Sequence, residues 1–410
     1  MTRLVRLERL HYSDEPLAEL DLPGGRLRIT RGLGSGLSRQ ARDDSGIVWS
    51  VGDRGPNLKI AQAVDQYGLR QLEPFRGIDG VKVLPFPDIG PAISQLRIAG
   101  DRVELLRTLP IRGRSTRPIS GRPPPYGQAE ETEPAMAIDG TLLPPDPSGA
   151  DTEGLAVAPD GDFWVAEEYG PSLMRIAPDG MVRRRLVPEG TDNWFQGADY
   201  PVDAVLPAIA ATRRLNRGFE GLAVSEDGRW LFAAFQSPLA HPDIAAHRHA
   251  RHVRIWKVDT GTGAVAAQFL YPLDPPRSFR RDSHHGEIDR SDIKIGEIAM
   301  LGKNRLLVLE RCSLTSKLYM VDLDDALATP PGHLDAATRP TIEQMSAKGD
   351  LESLTKNLLL STDDHPEVDG DLEGVALLDR RTLILVNDND FGIEGVKTRF
   401  WRLVTDVDLF

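Results

Sequence analysis

The sequence predicts an all-β fold: a single β-propeller of about six blades, mostly of four antiparallel strands, with long loop insertions. Three observations predict it. A hairpin pattern recurs along the chain, its apolar runs have strand length and composition, and a further strand follows each hairpin.

Each copy has an acidic or small lead-in, an apolar run, a turn, a second apolar run and a polar cluster. The first runs Asp151-Thr152-Glu153-Gly154-Leu155-Ala156-Val157, turns at Asp160-Gly161, and continues Phe163-Trp164-Val165-Ala166 into Glu167-Glu168-Tyr169. The second runs Phe219-Glu220-Gly221-Leu222-Ala223-Val224, turns at Asp227-Gly228, and continues Trp230-Leu231-Phe232 into Gln236-Ser237-Pro238. The third is Lys294-Ile295-Gly296-Glu297-Ile298, then Leu306-Leu307-Val308-Leu309 into Glu310-Arg311. The fourth is Leu372-Glu373-Gly374-Val375, then Leu383-Ile384-Leu385-Val386 into Asn387-Asp388-Asn389-Asp390. A weaker relative joins Gly36-Leu37 to Ile47-Val48-Trp49-Ser50-Val51 and ends in Asp53-Arg54.

The runs are short, β-branched or aromatic, and bounded by Gly, Pro, Asp or Asn, as strands are. The Asp-Gly pairs mark hairpin turns. Third strands are expected at 173–176, 253–258, 318–321 and 400–403. The copies lie farther apart than regular blades of about 40 residues, so 91–98 with 103–106, and 264–269, are candidates for additional blades. The segment 4–7 is expected to pair with 398–404, hiding both edges. The Pro-rich stretch 117–147 and the weakly helical 335–369 read as surface excursions within one domain spanning 1–410.

At 40% hydrophobic and 27% charged residues, the 410-residue chain can build a core, and wholesale disorder is excluded. A net charge of −12 speaks against nucleic acid. Arg183-Arg184-Arg185 reads as a solvated face. The single cysteine, Cys312, excludes an internal disulfide and reads as an inert thiol. The first ten residues carry charges throughout, and no stretch is long and apolar enough to span a bilayer. The expectation is a cytoplasmic monomer, or a periplasmic or secreted one if a leader precedes Met1.

A hairpin leaves and returns, so residues before its first strand and after its second share one end. Glu153 is thereby grouped with Glu167 and Glu168, and Glu220 with Gln236. Glu297 joins Glu310 and Arg311, Glu373 joins Asn387, Asp388 and Asp390, and Gly36 joins Asp53 and Arg54. In a propeller these clusters ring one channel mouth. Crowded carboxylates demand protons or a counter-charge, and Ca²⁺ takes about six to eight oxygen ligands. The ligand candidates are Asp53, Glu153, Glu167, Glu220, Glu297, Glu373, Asn387, Asp388 and Asp390. An alternative stays open: a lead-in glutamate can accept backbone N–H groups of the next blade and bind nothing.

At Phe163-Trp164-Val165-Ala166-Glu167-Glu168-Tyr169-Gly170-Pro171, Gly218-Phe219-Glu220-Gly221-Leu222-Ala223, Gln236-Ser237-Pro238-Leu239, Leu307-Val308-Leu309-Glu310-Arg311 and Asn387-Asp388-Asn389-Asp390-Phe391-Gly392, the chain resembles the phytase-like family, known for esterase-like activity of phytase. Pro118-Ile119-Ser120-Gly121-Arg122-Pro123 fits as well, and the likeness runs from about Gly32 to the C-terminus. The resemblance implies a β-propeller and hydrolysis of a phosphoric ester with bound Ca²⁺. Under it, Glu168, Glu310 and Asp388 are the catalytic candidates, and Arg54, Arg311, Gln236 and Tyr169 the substrate contacts, with Lys294 a further cation. Metal ions would neutralise the phosphate while cationic side chains hold its oxygens.

Other constellations are weaker. His241, His247, His249 and His252 crowd one segment and His284-His285 adjoin Glu287, but the spacing lacks a zinc third ligand, so a polar surface loop is expected. Gly32-Leu33-Gly34-Ser35-Gly36 lacks the Lys-Ser/Thr of a phosphate loop, and no Gly-x-Ser-x-Gly elbow offers a serine nucleophile. A non-catalytic ligand- or protein-binding propeller and a metal-assisted lactonase stand as alternatives to the hydrolase.

Overall fold

The apolar runs fold as strands, and the hairpins assemble into five antiparallel-based sheets of four or five strands. The computed structural model describes residues 4–40, 42–78, 80–126, 133–349 and 351–410. The first sheet orders Gly36–Ser38, Ile47–Val51, Ala92–Ala99 and Arg102–Pro110. The second orders Thr152–Val157, Phe163–Glu167, Ser172–Ile176, Val182–Pro188 and Val202–Leu206, the last pair parallel. The third has Phe219–Val224, Trp230–Phe235, His252–Asp259 and Val265–Pro272. The fourth has Lys294–Met300, Arg305–Arg311, Ser316–Asp322 and Lys356–Ser361. The fifth runs Leu372–Leu377, Thr382–Asn387, Phe400–Thr405 and Leu4–Leu10, so the pairing expected between the chain ends is present, with Leu7 opposite Leu403.

The first strands of the sheets touch in a circuit: Gly36–Ser38 lies against Thr152–Val157, then come Phe219–Val224, Lys294–Met300 and Leu372–Leu377, which returns to Gly36–Ser38. Apolar layers between neighbouring sheets follow the same circuit. Trp49 and Phe163 join the first and second, while Phe219, Phe235 and Trp256 anchor the layer running from the second to the fourth. Leu309 and Leu385 join the fourth and fifth, and Ile384 and Val386 meet Leu37 and Val48 to join the fifth and first.

Five large sheets are present among the described residues, against about six expected. The reason is local. The runs at 91–98 and 103–106 are the outer strands of the first sheet, and 264–269 supplies the outer strand of the third. The region 335–369 holds a helix, Ile342–Lys348, but its Lys356–Ser361 is the outer strand of the fourth sheet rather than an excursion. Two smaller sheets, Pro16–Leu22 with Gly25–Thr30 and Leu58–Lys59 with Lys82–Val83 and Ala135–Met136, share a satellite core that includes Leu72, Phe391 and Ile393. Part of the Pro-rich stretch, 127–132, lies outside the described residues.

No helix of the described residues is long and apolar enough to cross a membrane. Arg183–Arg185 is only partly a solvated face. Arg185 is fully buried and ion-paired to Glu167 at 2.6 Å.

Candidate acidic site at one end of the sheet circuit

Each first strand from the second sheet to the fifth carries a register shift at its lead-in: Thr152/Leu155, Phe219/Gly221, Ile295/Glu297 and Leu372/Gly374. An irregularity of this kind re-aims a side chain out of the pleat. Glycine follows the glutamate in three of the four, and neighbouring strands need it. A Cβ on Gly154 would sit 2.0 Å from the carbonyl oxygen of Glu220, and one on Gly221 would sit 2.8 Å from the nitrogen of Ile298.

Glu153, Glu168 and Glu220 place carboxylate oxygens within 4.8 Å of one another, as do Asp53, Asp151 and Glu153. Glu153 belongs to both triads. Gln236 donates its amide to Glu168 at 3.1 Å and Glu220 at 2.8 Å, while its buried Oε1 has no hydrogen-bond partner. Burial pushes Glu168 and Glu220 up to about 8, reinforced by Glu220 on the former and Glu373 on the latter. Burial and the neighbouring acids hold Glu153 well above the carboxylate range. Asp151 is held high by burial against the pull of Arg54; Asp53, beside Asp151 and Arg54, is lowered despite burial.

Glu373 and Asp390 complete the ring, pushed up to about 7 and about 6 by burial first and by Asp371 and Asp53 respectively. Asp388 accepts from Ser35 Oγ at 3.0 Å, and burial followed by Glu373 raises it well above its usual range.

Several predicted residues stand elsewhere. Glu167 points into the second sheet, where its oxygens take the N–H groups of Asp151, Tyr169 and Gly170, the hydroxyl of Ser172 and the Arg185 guanidinium. It braces the post-hairpin turn and has no place in either triad. Strand alternation explains why, since consecutive residues face opposite sides and Glu168 takes the ring side.

Glu310 is separated from Arg311 in the same way. It accepts from Tyr271 Oη at 2.6 Å, Asp274 N at 2.7 Å and Lys356 Nζ at 2.6 Å, inside a polar knot that also holds Lys317 and Tyr319. Asn387 donates to the carbonyls of Asp388 and Lys397 and accepts from Arg399 N, so its side chain shapes the loop.

Glu297 departs for an instructive reason. Its unit reads Gly-Glu where the others read Glu-Gly, so Glu297 occupies the position of Gly154, Gly221 and Gly374. A one-residue offset turns a side chain to the other face. Its carboxylate accepts from the nitrogens of Leu222 at 2.8 Å, Ile298 at 2.9 Å and Leu37 at 3.4 Å, tying the first, third and fourth sheets together. Gly296 stands where a ring glutamate would, and the Arg311 side chain lies 3.3 Å from the position of its missing Cβ.

Arg311 pairs with Glu373 and Asp371, with Glu220 at 3.9 Å. Arg54 is more fully engaged: Asp53, Asp151 and Glu133 are ion-pair partners, Asn216 Oδ1 lies at 2.7 Å, and the Tyr169 ring centre lies 5.0 Å away. Tyr169 donates its hydroxyl to Gly121 O at 2.7 Å. Lys294 and Arg217 are different. Both feel Glu220 electrostatically, yet neither has an ion-pair partner within 4.0 Å among the described residues. Arg311 first and then burial lower Lys294, and burial lowers Arg217 to about 10.

The sequence reading missed Asp151, Glu133, Arg217 and Lys82, which lies 3.7 Å from Glu133. Asp151 had a signal, two residues before a lead-in glutamate; Glu133 and Lys82 arrive from the satellite layer and carried none.

The histidines do not converge. His241 meets Ala336 O, His249 meets Ala245 O, His252 meets Ser346 Oγ, and buried His247 meets Pro238 O. The segment expected as a surface loop contains a short helix, Ile244–His249, and its His247 and His252 are buried.

A family model described as "Phytase-like: Esterase-like activity of phytase" matches residues 31–391. An uncharacterized secreted protein of Arthroderma benhamiae is 25% identical over 236 residues, which is 52% of this chain and 44% of that protein; the match spans less than half of the relative's length. Among solved structures, the PQQ-bound aldose sugar dehydrogenase of Streptomyces coelicolor aligns over 99% of this chain and 98% of its own, at 12% identity and TM-score 0.36. A streptogramin B lyase aligns over 98% of each chain, at 11% identity and TM-score 0.35.

Proposed function

Because the chain belongs to the phytase-like family, we propose that it is a Ca²⁺-dependent phosphoric-ester hydrolase working at the acidic end of a single propeller domain whose five large sheets are the blades. One observation carries the reading: two carboxylate triads share Glu153, and a buried, unpartnered Gln236 Oε1 belongs to the same cluster. An all-oxygen donor set of this density suits a hard cation. Asp53, Asp151 and Glu153 would hold one ion, and Glu153, Glu168, Glu220 and Gln236 a second.

Bound Ca²⁺ supplies charge neutralisation of the phosphate and acidification of water. The chain's own residues supply the rest. Arg217 and Lys294, cations without a carboxylate partner, hold the phosphate oxygens in place of the fully engaged Arg54. Arg311 is kept in position by Glu373 and Asp371. Asp388, beside the triads but in neither, holds a proton at a carboxylate oxygen for the departing alkoxide.

The test is to strip the protein of metal and titrate it with Ca²⁺ while following thermal stability and hydrolysis of a generic phosphate monoester and diester. Both should rise saturably, and Glu153→Gln should lose both responses. Binding without turnover of any phosphate ester would refute the hydrolase and favour a binding role. Absence of binding would leave the ring as protonated acids and ion pairs.

A further inference from the structure

The other end of the circuit is built differently. The first strands run from the acidic end toward a cavity of about 380 Å³ lined by all five of them. The apolar lining that leaves surface open to it is Pro159, Val224, Ala299, Met300 and Leu377, all half-buried, backed by Leu37, Leu155, Leu222, Ile298 and Val375 of the inter-sheet cores. Leu37, Leu222 and Ile298 are the residues whose nitrogens Glu297 receives, so its carboxylate holds three of the lining strands together. The volume lies within the range of small-molecule sites, which pair apolar walls with a few placed polar groups.

The polar groups here are at the rim. Arg39 and Arg42 line the cavity, and neither has an ion-pair partner within 4.0 Å among the described residues. Arg39 Nε is buried and has no hydrogen-bond partner. Gln40 fixes this loop by donating to the carbonyls of Ala158 at 3.0 Å and Pro159 at 3.2 Å. Glu226 is the single acid among the lining residues. Two uncompensated cations over an apolar well stand out in a chain of net charge −12.

We infer that this cavity binds a single-chain amphiphile with an anionic head, of the fatty-carboxylate type, its tail among the five strands and its carboxylate against Arg39 and Arg42. The site is independent of the acidic end. A sugar or phosphate finds few partners on this wall, since Ser38 Oγ already accepts from Val157 N.

Calorimetric titration with hexanoate, octanoate and decanoate, each kept monomeric, tests it. Each added methylene should tighten binding roughly four-fold. Decanol should bind at least ten-fold more weakly than decanoate, and Arg39→Ala with Arg42→Ala should bring decanoate down to decanol. Should that double variant fail to fold, loss of decanoate affinity with rising salt on the unaltered protein gives the same information. Met300→Trp, which fills the cavity, should abolish binding and leave any Ca²⁺ response intact. No saturable binding, affinity indifferent to chain length, or association with anionic vesicles in preference to monomeric decanoate would overturn the inference.

Discussion

Glu297 offers the sharpest test of how the circuit is held. Replacing it with alanine strands the buried N–H groups of Leu222 and Ile298, bonded at 2.8 and 2.9 Å, and weakens the position of Leu37 N, at 3.4 Å. An orphaned buried donor costs about 1–3 kcal/mol. With two good bonds lost and one long one, Glu297→Ala should destabilise the metal-free protein by about 3–5 kcal/mol. Glu297→Gln keeps one accepting oxygen but turns a donor toward a donor, and should cost about 1–2 kcal/mol. Urea unfolding followed by tryptophan fluorescence measures both, with an unchanged m-value as the sign of a simple stability change. Glu153→Gln is the control: it puts a neutral amide in place of an acid that burial and its neighbours keep protonated, and Glu153 makes no side-chain bond to backbone among the described residues, so the metal-free protein should be no less stable. A loss below about 1 kcal/mol for Glu297→Ala, or an equal loss for Glu153→Gln, would refute the division between strut and ring.

Three further outcomes follow from the same geometry. The ring acids Glu168, Glu220 and Glu373, raised to about 8, 8 and 7, contribute stability that is complete below their unfolded values and lost as pH rises to the folded ones, so the melting temperature of metal-free protein should fall from about pH 4.5 to about 8 and level off above, and Ca²⁺ should reverse the fall. Gly154→Ala places a Cβ 2.0 Å from Glu220 O and should cost about 3 kcal/mol or prevent folding, read by soluble yield and urea midpoint. Glu310→Gln disturbs Lys356 and Tyr271 in the polar knot, so it should lower the urea midpoint while leaving the Ca²⁺ midpoint unchanged; a shifted Ca²⁺ midpoint would return Glu310 to the site.

The hairpin units and their glutamate lead-ins were legible because strand period, turn residues and chain order are local properties. That is why Glu153, Glu168 and Glu220 could be placed at one end from spacing alone. Within a unit the period of two sets which neighbour faces the ring, and the pairs Glu167/Glu168 and Glu310/Arg311 each send one residue each way. A run of charges does not announce that alternation. The Gly-Glu inversion at Gly296-Glu297 was visible in the letters, but its meaning needed the close approach of neighbouring first strands, which admits glycine or a carboxylate that satisfies their N–H groups.

By itself the sequence determined the all-β class, the repeating hairpins and the acidic end of the circuit, since each follows from contacts between residues near in sequence or equivalent by repeat, and the pairing of the chain ends, since a terminal strand left unpaired would expose a sheet edge. Only the tertiary structure decided that five large sheets are formed, that Glu297 is a strut, that Arg54 is paired with carboxylates while Arg217 and Lys294 are not, and that Asp151 and Glu133 enter the site. Those are outcomes of long-range packing, in which the charge and backbone partners of a residue come from segments far away along the chain.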